Sequence, residues 1–220
     1  MSARTTALTI GVAAIAAAGA HLVRHRQVSD LHARLRRAEH AAIHDPLTGL
    51  PNRGGLLRHL DVLLAADRPM WVLLADLDQF KQANDRFGHD VGDQVIVEVA
   101  HRLRTIARPG WQLARLHGDE FAGCGPGDLD TGIAVGIAIR NAIHRRPFQP
   151  SAGHTVPLRI SVGVAAHRIG LTSALLLKHA DRAMYDAKDA ADGVIAYRPT
   201  GADIDHIPVR PKLRDRDRPR

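Results

Sequence analysis

Apolar positions recur along the chain with two different spacings. Residues 53–66 read as a helix, and Val91, Val95, Val99 and Leu103 mark one face of a longer helix over 91–107. Residues 71–77 form a largely apolar run of strand length that ends in carboxylates. Strands over 111–117 and 120–124 flank a tight turn at Gly118 and Asp119. A helix over 129–145, a strand over 158–166, a helix over 172–189 and a short strand over 193–198 follow. The strand-turn-strand unit excludes a purely parallel sheet, so the pattern predicts an α+β sandwich with helices over a mixed sheet.

The first 43 residues follow a different rule. No charged side chain interrupts residues 5–23, a run just long enough to cross a hydrocarbon core of about 30 Å. Alanine and glycine make it a weak span. A cleaved signal ending near Ala18-Gly19-Ala20 and an interfacial helix stay open beside a membrane anchor. Positive charge is denser after the run than before it, which points to a single-pass protein of the inner membrane with its body in the cytoplasm. Val28, Leu31, Leu35, Ala38 and Ala42 then repeat at steps of 3 and 4, a short a/d seam able to bring two chains together. A solvated arginine-rich helix is the alternative. Pro46 and Pro51 end this connector. Four regions result: a hydrophobic anchor segment over 1–27, a helical connector over 28–43, a folded domain over 44–198 and a basic tail over 199–220 whose default is disorder.

The net charge of +7 and a pI near 10.4 suggest a nucleic-acid binder until the charges are located. Residues 1–44 carry six arginines against Asp30 and Glu39, and residues 198–220 carry seven basic against four acidic side chains. Those segments hold the whole excess, and the body over 45–197 is neutral. No nucleic-acid partner is expected, because phosphate-driven affinity needs a clustered basic face. The lone Cys124 excludes a disulfide framework and a cysteine zinc site, and a small buried side chain is its expected state. No Walker-type phosphate loop is present.

Asp76 and Asp78 lie where the apolar strand ends, and Asp119 and Glu120 lie at the hairpin turn. Four carboxylates at neighbouring strand ends can converge; ordinary turn and cap aspartates are the alternative, and Asp78 taken alone reads as one of those. Such crowding is stable only beside a cation, and magnesium bound by one or two carboxylates and substrate phosphates suggests nucleotide chemistry. In NDRFGHDVGD, read as a loop, Asn84 and Asp93 offer amide and carboxylate edges that match guanine: the carboxylate accepts from N1–H and the 2-amino group, and the amide serves O6 or N7.

The segments HDPLTGLPNR (44–53), DLDQFKQANDRFGHDVGD (76–93), RLHGDEF (115–121), ISVGVA (160–165) and ADRAMYDAK (180–188) occur in the order found in GGDEF domains, and over about 43–198 the chain resembles that family. The resemblance implies a five-stranded central sheet with surrounding helices, akin to the polymerase palm, here preceded by an N-terminal helix. It implies a diguanylate cyclase: two GTP molecules held by two protomers, each 3′-hydroxyl attacking the other's α-phosphate, with cyclic di-GMP and two pyrophosphates as products. Asp76 and Asp119, assisted by the Leu77 carbonyl, would hold two Mg²⁺ or Mn²⁺ ions. Asn84 and Asp93 would read guanine, the backbone around Phe80 with Lys81 and Lys188 would hold the β- and γ-phosphates, and Gly118 would let the backbone approach the nucleotide. Glu120 would lie beside the attacking hydroxyl or the metals.

Three positions depart from the family pattern. His117 replaces the first glycine of the GGDEF signature, where an imidazole can crowd the ribose or α-phosphate unless it points outward. Asp192 stands where a phosphate-binding arginine is expected, with Arg182 or Lys178 as possible substitutes. Arg108 is followed by Trp111 where the product-inhibition motif requires aspartate, so no inhibitory product site is expected. The changes at His117 and Asp192 leave a second reading open, a degenerate domain that binds GTP or a protein partner without turnover.

Overall fold

The computed structural model describes residues 3–150, 153, 155–168, 171–190 and 193–199, with the backbone alone for 3–20, 22 and 23. The tail from 200 onward and Asp192 lie outside the described residues. The chain divides into two units, Met1–Ala42 and Ile43–Arg220.

The first unit is one helix, α1 (Ala3–Ile43), which runs through both the anchor segment and the connector read from the sequence. Its seam residues Val28, Leu31 and Leu35 are 45%, 62% and 56% exposed. The expected membrane span gains no support here: among the described residues no helix is long and apolar enough to cross a membrane.

In the second unit, α2 (Arg53–Ala65), β1 (Met70–Leu77), α3 (Phe80–Phe87), α4 (His89–Ile106), β2 (Gln112–His117), β3 (Glu120–Pro126), α5 (Leu129–His144), β4 (Ile160–Ala166), α6 (Ser173–Ala187) and β5 (Val194–Ala196) follow in order. The five strands form one sheet in the order β2-β3-β1-β4-β5, antiparallel except for the parallel β4–β5 pair. This is the mixed α+β sheet that the hairpin demanded.

Strand β1 lies at the centre and is buried along its whole length, which explains its apolar run. Trp71, Leu73, Ala75 and Leu77 pack into one core with residues of α4 and α5, and Met70, Val72 and Leu74 pack into a second with α2 and α6. Trp71 joins its layer to the hairpin through an edge-on contact with Trp111, centroids 5.4 Å apart, and donates from Nε1 to the Pro126 carbonyl at 3.1 Å. Burying its side chain and those of Leu56, Leu60, Phe121 and Ile160 contributes about 1.5–3 kcal/mol each. Cys124 is buried as expected, and burial pushes its thiol up to about 12.

The segment around Asn84 corrects the sequence reading. It is helix α3, separated from α4 only by Gly88, with Asp93 in the opening turns of α4. No residue of α3 is fully buried; Phe80 and Phe87 are only partly covered by the core, a face too short to announce a helix.

Candidate active site

Strand β1 carries its last residues to one end of the sheet, where the β2–β3 turn arrives beside them. Asp76 stands opposite Glu120 on β3 and Ser161 on β4, and Leu77 N–H donates to the Asp119 carbonyl at 3.3 Å. Asp76 is 5% exposed, and Lys188, just past α6, donates from Nζ to its Oδ1 at 2.6 Å. Burial and the Asp76 charge push the Asp119 carboxyl up to about 6, against the opposing pull of its own backbone and Lys188. The pair is therefore short of positive charge even with Lys188 in place.

Of the four acids, Asp78, read as an ordinary turn aspartate, stands apart from the others. Asp78 lies past the end of β1, where its amide donates to the Arg159 carbonyl at 3.0 Å and its Oδ1 accepts from Ser161 Oγ at 2.7 Å. Glu120 Oε2 lies 3.3 Å from His117 Nε2. Among the described residues no group of three or more His, Cys, Asp or Glu side chains is arranged to hold a metal. Two carboxylates with the adjacent Leu77 carbonyl remain. That oxygen donor set and its unrelieved repulsion fit a hard divalent cation that completes its coordination with substrate phosphate and water.

The turn accommodates the histidine. Gly118, with φ of +51°, takes the left-handed backbone; His117 is not among the residues with positive φ, and its side chain is 69% exposed. Arg115 holds the turn from behind, donating from Nε and Nη2 to the Gly118 carbonyl at 2.9 and 2.8 Å and from Nη1 to both Asp45 oxygens at 3.1 and 3.2 Å. Sequence reading assigned no role to Asp45 or Arg115. The Asp45-x-x-Thr48 spacing was the available signal, because Asp45 Oδ1 accepts from both the Thr48 amide and hydroxyl, at 2.8 and 2.6 Å.

Gln79 enters α3 in the left-handed conformation, φ 60°, and provides no side-chain cap. The first amides of α3, at Phe80 and Lys81, thus lack a capping side chain at the positive end of the helix dipole, where phosphate is favoured. Lys81 is exposed. One turn on, Asn84 Oδ1 is buried without a hydrogen-bond partner among the described residues. It occupies the space left by Gly92, where an added Cβ would stand 1.8 Å from it. The planar amide then carries its Nδ2 donor on the opposite edge. Asp93 is exposed on the following turn.

Of the remaining positions, Arg108 lies over the Trp111 ring at 5.6 Å. Arg182, read as a substitute phosphate ligand, is paired with Asp186 at 3.2 Å.

The family described as "Diguanylate cyclase, GGDEF domain" matches residues 42–193. Diguanylate cyclase TpbB of Pseudomonas aeruginosa is 41% identical over 165 residues, which cover 70% of this chain and 37% of that protein. The bifunctional diguanylate cyclase/cyclic di-GMP phosphodiesterase MucR of the same organism is 40% identical over 157 residues, 67% of this chain and 22% of that protein. The chain thus spans well under half the length of these relatives. Among solved structures, the coiled coil and GGDEF domain of DgcB from Caulobacter crescentus superposes with a TM-score of 0.72 at 28% identity, covering 78% of this chain and 94% of that one. The isolated GGDEF domain of TpbB gives 0.63 at 37% identity, covering 70% and 94%.

Proposed function

Because the chain belongs to the GGDEF family, we propose that it is a metal-dependent diguanylate cyclase, condensing two GTP molecules into cyclic di-GMP with release of two pyrophosphates. The observation that carries this reading is the pairing of buried Asp76 with half-buried Asp119, whose electrostatic deficit calls for a divalent cation at the end of the sheet. Asp76, Asp119 and the Leu77 carbonyl hold the Mg²⁺ or Mn²⁺ ions, which when bound supply charge neutralisation at the α-phosphate and acidify the attacking hydroxyl.

The chain's own groups do the positioning. The opening amides of α3 at Phe80 and Lys81, the Lys81 ammonium and Lys188 hold the β- and γ-phosphates, and Gly118 leaves room for the nucleotide backbone. Asn84 presents its amide donor to guanine O6 or N7, and Asp93 accepts from N1–H and the 2-amino group. Glu120 lies beside the attacking 3′-hydroxyl. Each 3′-oxygen bonds to the α-phosphorus of the other GTP as the bond to pyrophosphate breaks, so positioning and charge neutralisation supply most of the catalysis. One chain offers one half-site. The exposed Val28, Leu31 and Leu35 seam supports a homodimer that raises the effective concentration of the second. Attachment to the inner membrane through residues 5–23, with the domain in the cytoplasm, is supported by the uncharged run and the arginines that follow it.

The degenerate-module alternative is favoured by one feature, the acidic Asp192 where arginine is expected. Incubating the full chain with GTP and Mg²⁺ or Mn²⁺, and separating the products chromatographically, distinguishes the two. Cyclic di-GMP with two equivalents of pyrophosphate is expected; saturable GTP binding without either product establishes the alternative.

A further inference from the structure

The opposite end of the sheet carries a concavity of about 480 Å³. It opens where β1 begins and β3, β4 and β5 end, about 23 Å along β1 from Leu77. Its walls are pinned by strand-extending backbone bonds, His167 N–H to the Met70 carbonyl at 2.8 Å and Tyr197 N–H to the Val164 carbonyl at 2.7 Å. Each bond fixes the residue just before an arginine, so Arg168 and Arg198 leave from the ends of adjacent strands into the same rim. Both are exposed, and among the described residues neither has an ion-pair partner.

The charge balance here is the reverse of that at the acidic end. Among the described residues the one carboxylate in the wall, Asp128, is engaged by α5: its Oδ1 accepts from the Thr131 amide and hydroxyl at 2.9 and 2.6 Å. His167 adds a further nitrogen heterocycle beside the two guanidiniums. The floor is apolar, built from Met70, Leu129 and Ala166, and Tyr197 is held flat against His179 with centroids 4.0 Å apart and planes 7° from parallel.

We propose that this concavity is a second ligand site, distinct from the acidic end, that binds an organic phosphate of mononucleotide size. The two arginines supply charge-assisted bonds to the phosphate, and the apolar floor with the Tyr197 ring accepts the organic part. The volume lies within the roughly 300–1,000 Å³ of small-molecule sites and exceeds what inorganic phosphate fills.

AMP is the probe, because the guanine-reading groups Asn84 and Asp93 do not suit adenine. Titrated into the full chain without metal, AMP should bind saturably by calorimetry and shift the backbone amide signals of His167, Arg168, Tyr197 and Arg198. The R168E/R198E double variant should weaken binding at least tenfold, while N84A leaves it unchanged. Adenosine, which lacks the phosphate, should bind at least tenfold more weakly. The proposal is overturned if AMP does not saturate, if adenosine binds equally well, if the double variant binds as the parent does, or if the shifts map to Leu77 and Asp119. The shift mapping uses the unaltered chain, so it decides the matter even if the double variant fails to fold. It is also independent of whether the chain makes cyclic di-GMP.

Discussion

Two carboxylates near the same hairpin, Asp45 and Asp119, are perturbed in opposite directions. Burial alone would raise Asp45, but the Thr48 hydroxyl and amide and the Arg115 guanidinium outweigh it and hold the carboxyl below its usual range. Burial also leads at Asp119, and there the neighbouring Asp76 charge adds to it, so the carboxyl rises from 3.8 to about 6. One acid is satisfied by the fold and the other is left in deficit by it. An acid whose ionised form the fold disfavours marks a place where the missing charge comes from a ligand, whereas a satisfied acid marks a structural joint.

The largest effect that can break this distinction is on activity. Asp119→Asn keeps the shape and removes the charge, so cyclic di-GMP production should fall at least ~10³-fold, about 4 kcal/mol of transition-state stabilisation. The same change relieves repulsion with Asp76, so the metal-free chain should resist urea as well as the parent or better. Retained activity would remove Asp119 from the metal site. A lowered urea midpoint would show that its charge had been stabilising after all.

Asp45→Ala should show the reverse balance. It removes the acceptor for Thr48 and leaves Arg115, whose side chain is only 12% exposed, without its carboxylate. A stability loss of about 2 kcal/mol by urea titration is expected. Because Arg115 also holds the Gly118 carbonyl, turnover should drop far less than in Asp119→Asn and should recover part of its loss at lower temperature. A midpoint equal to the parent's would mean that the joint is ornamental.

The pH dependence sharpens the contrast. Between 3.8 and about 6 the folded chain binds a proton at Asp119 that the unfolded chain does not, so Asp119 makes metal-free stability fall as pH rises through that window. Urea midpoints of the parent and Asp119→Asn in a chelator should converge near pH 4 and separate by pH 7, with the parent the less stable. Asp45 acts with the opposite sign: its contribution is present above the ordinary aspartate range and is lost as pH falls through its depressed value. Parallel midpoint curves for the two chains across pH 4–7 would refute the raised Asp119.

The sheet and its large helices were legible because β1 and α4 bury long apolar runs, and burial of that kind writes a period into the sequence. Helix α3 buries no residue fully, with Phe80 and Phe87 only partly covered, and begins at a left-handed Gln79, so its eight residues looked like loop. The acids were legible as a group, with Asp78 read as the ordinary one among them, but the partner that holds it was not. Asp78 falls past the end of β1, and its turn toward Ser161 depends on β4, 83 residues away. The Asp45–Arg115 joint spans 70 residues and leaves no local trace beyond Asp45-x-x-Thr48. The orphaned Asn84 oxygen beside Gly92 is likewise a fact of packing between two helices, visible only once α3 and α4 are folded.

His117→Gly gives the smallest expected effect and tests the turn directly. Glycine would be required at 117 if the backbone there were left-handed or if a side chain met the nucleotide. In this turn the left-handed residue is Gly118, and the His117 side chain is mostly exposed, with Nε2 3.3 Å from Glu120 Oε2. A pair with one partner this exposed contributes at most about 1 kcal/mol, so restoring glycine should change turnover at saturating GTP by no more than about fivefold. The stability of the metal-free chain should barely move. A gain of tenfold or more would mean that the imidazole swings from Glu120 into the nucleotide's path during turnover. Any shortfall in the parent chain's output would then trace to this one side chain, and the Asp76–Asp119 pair would be an intact site behind an obstructed entrance.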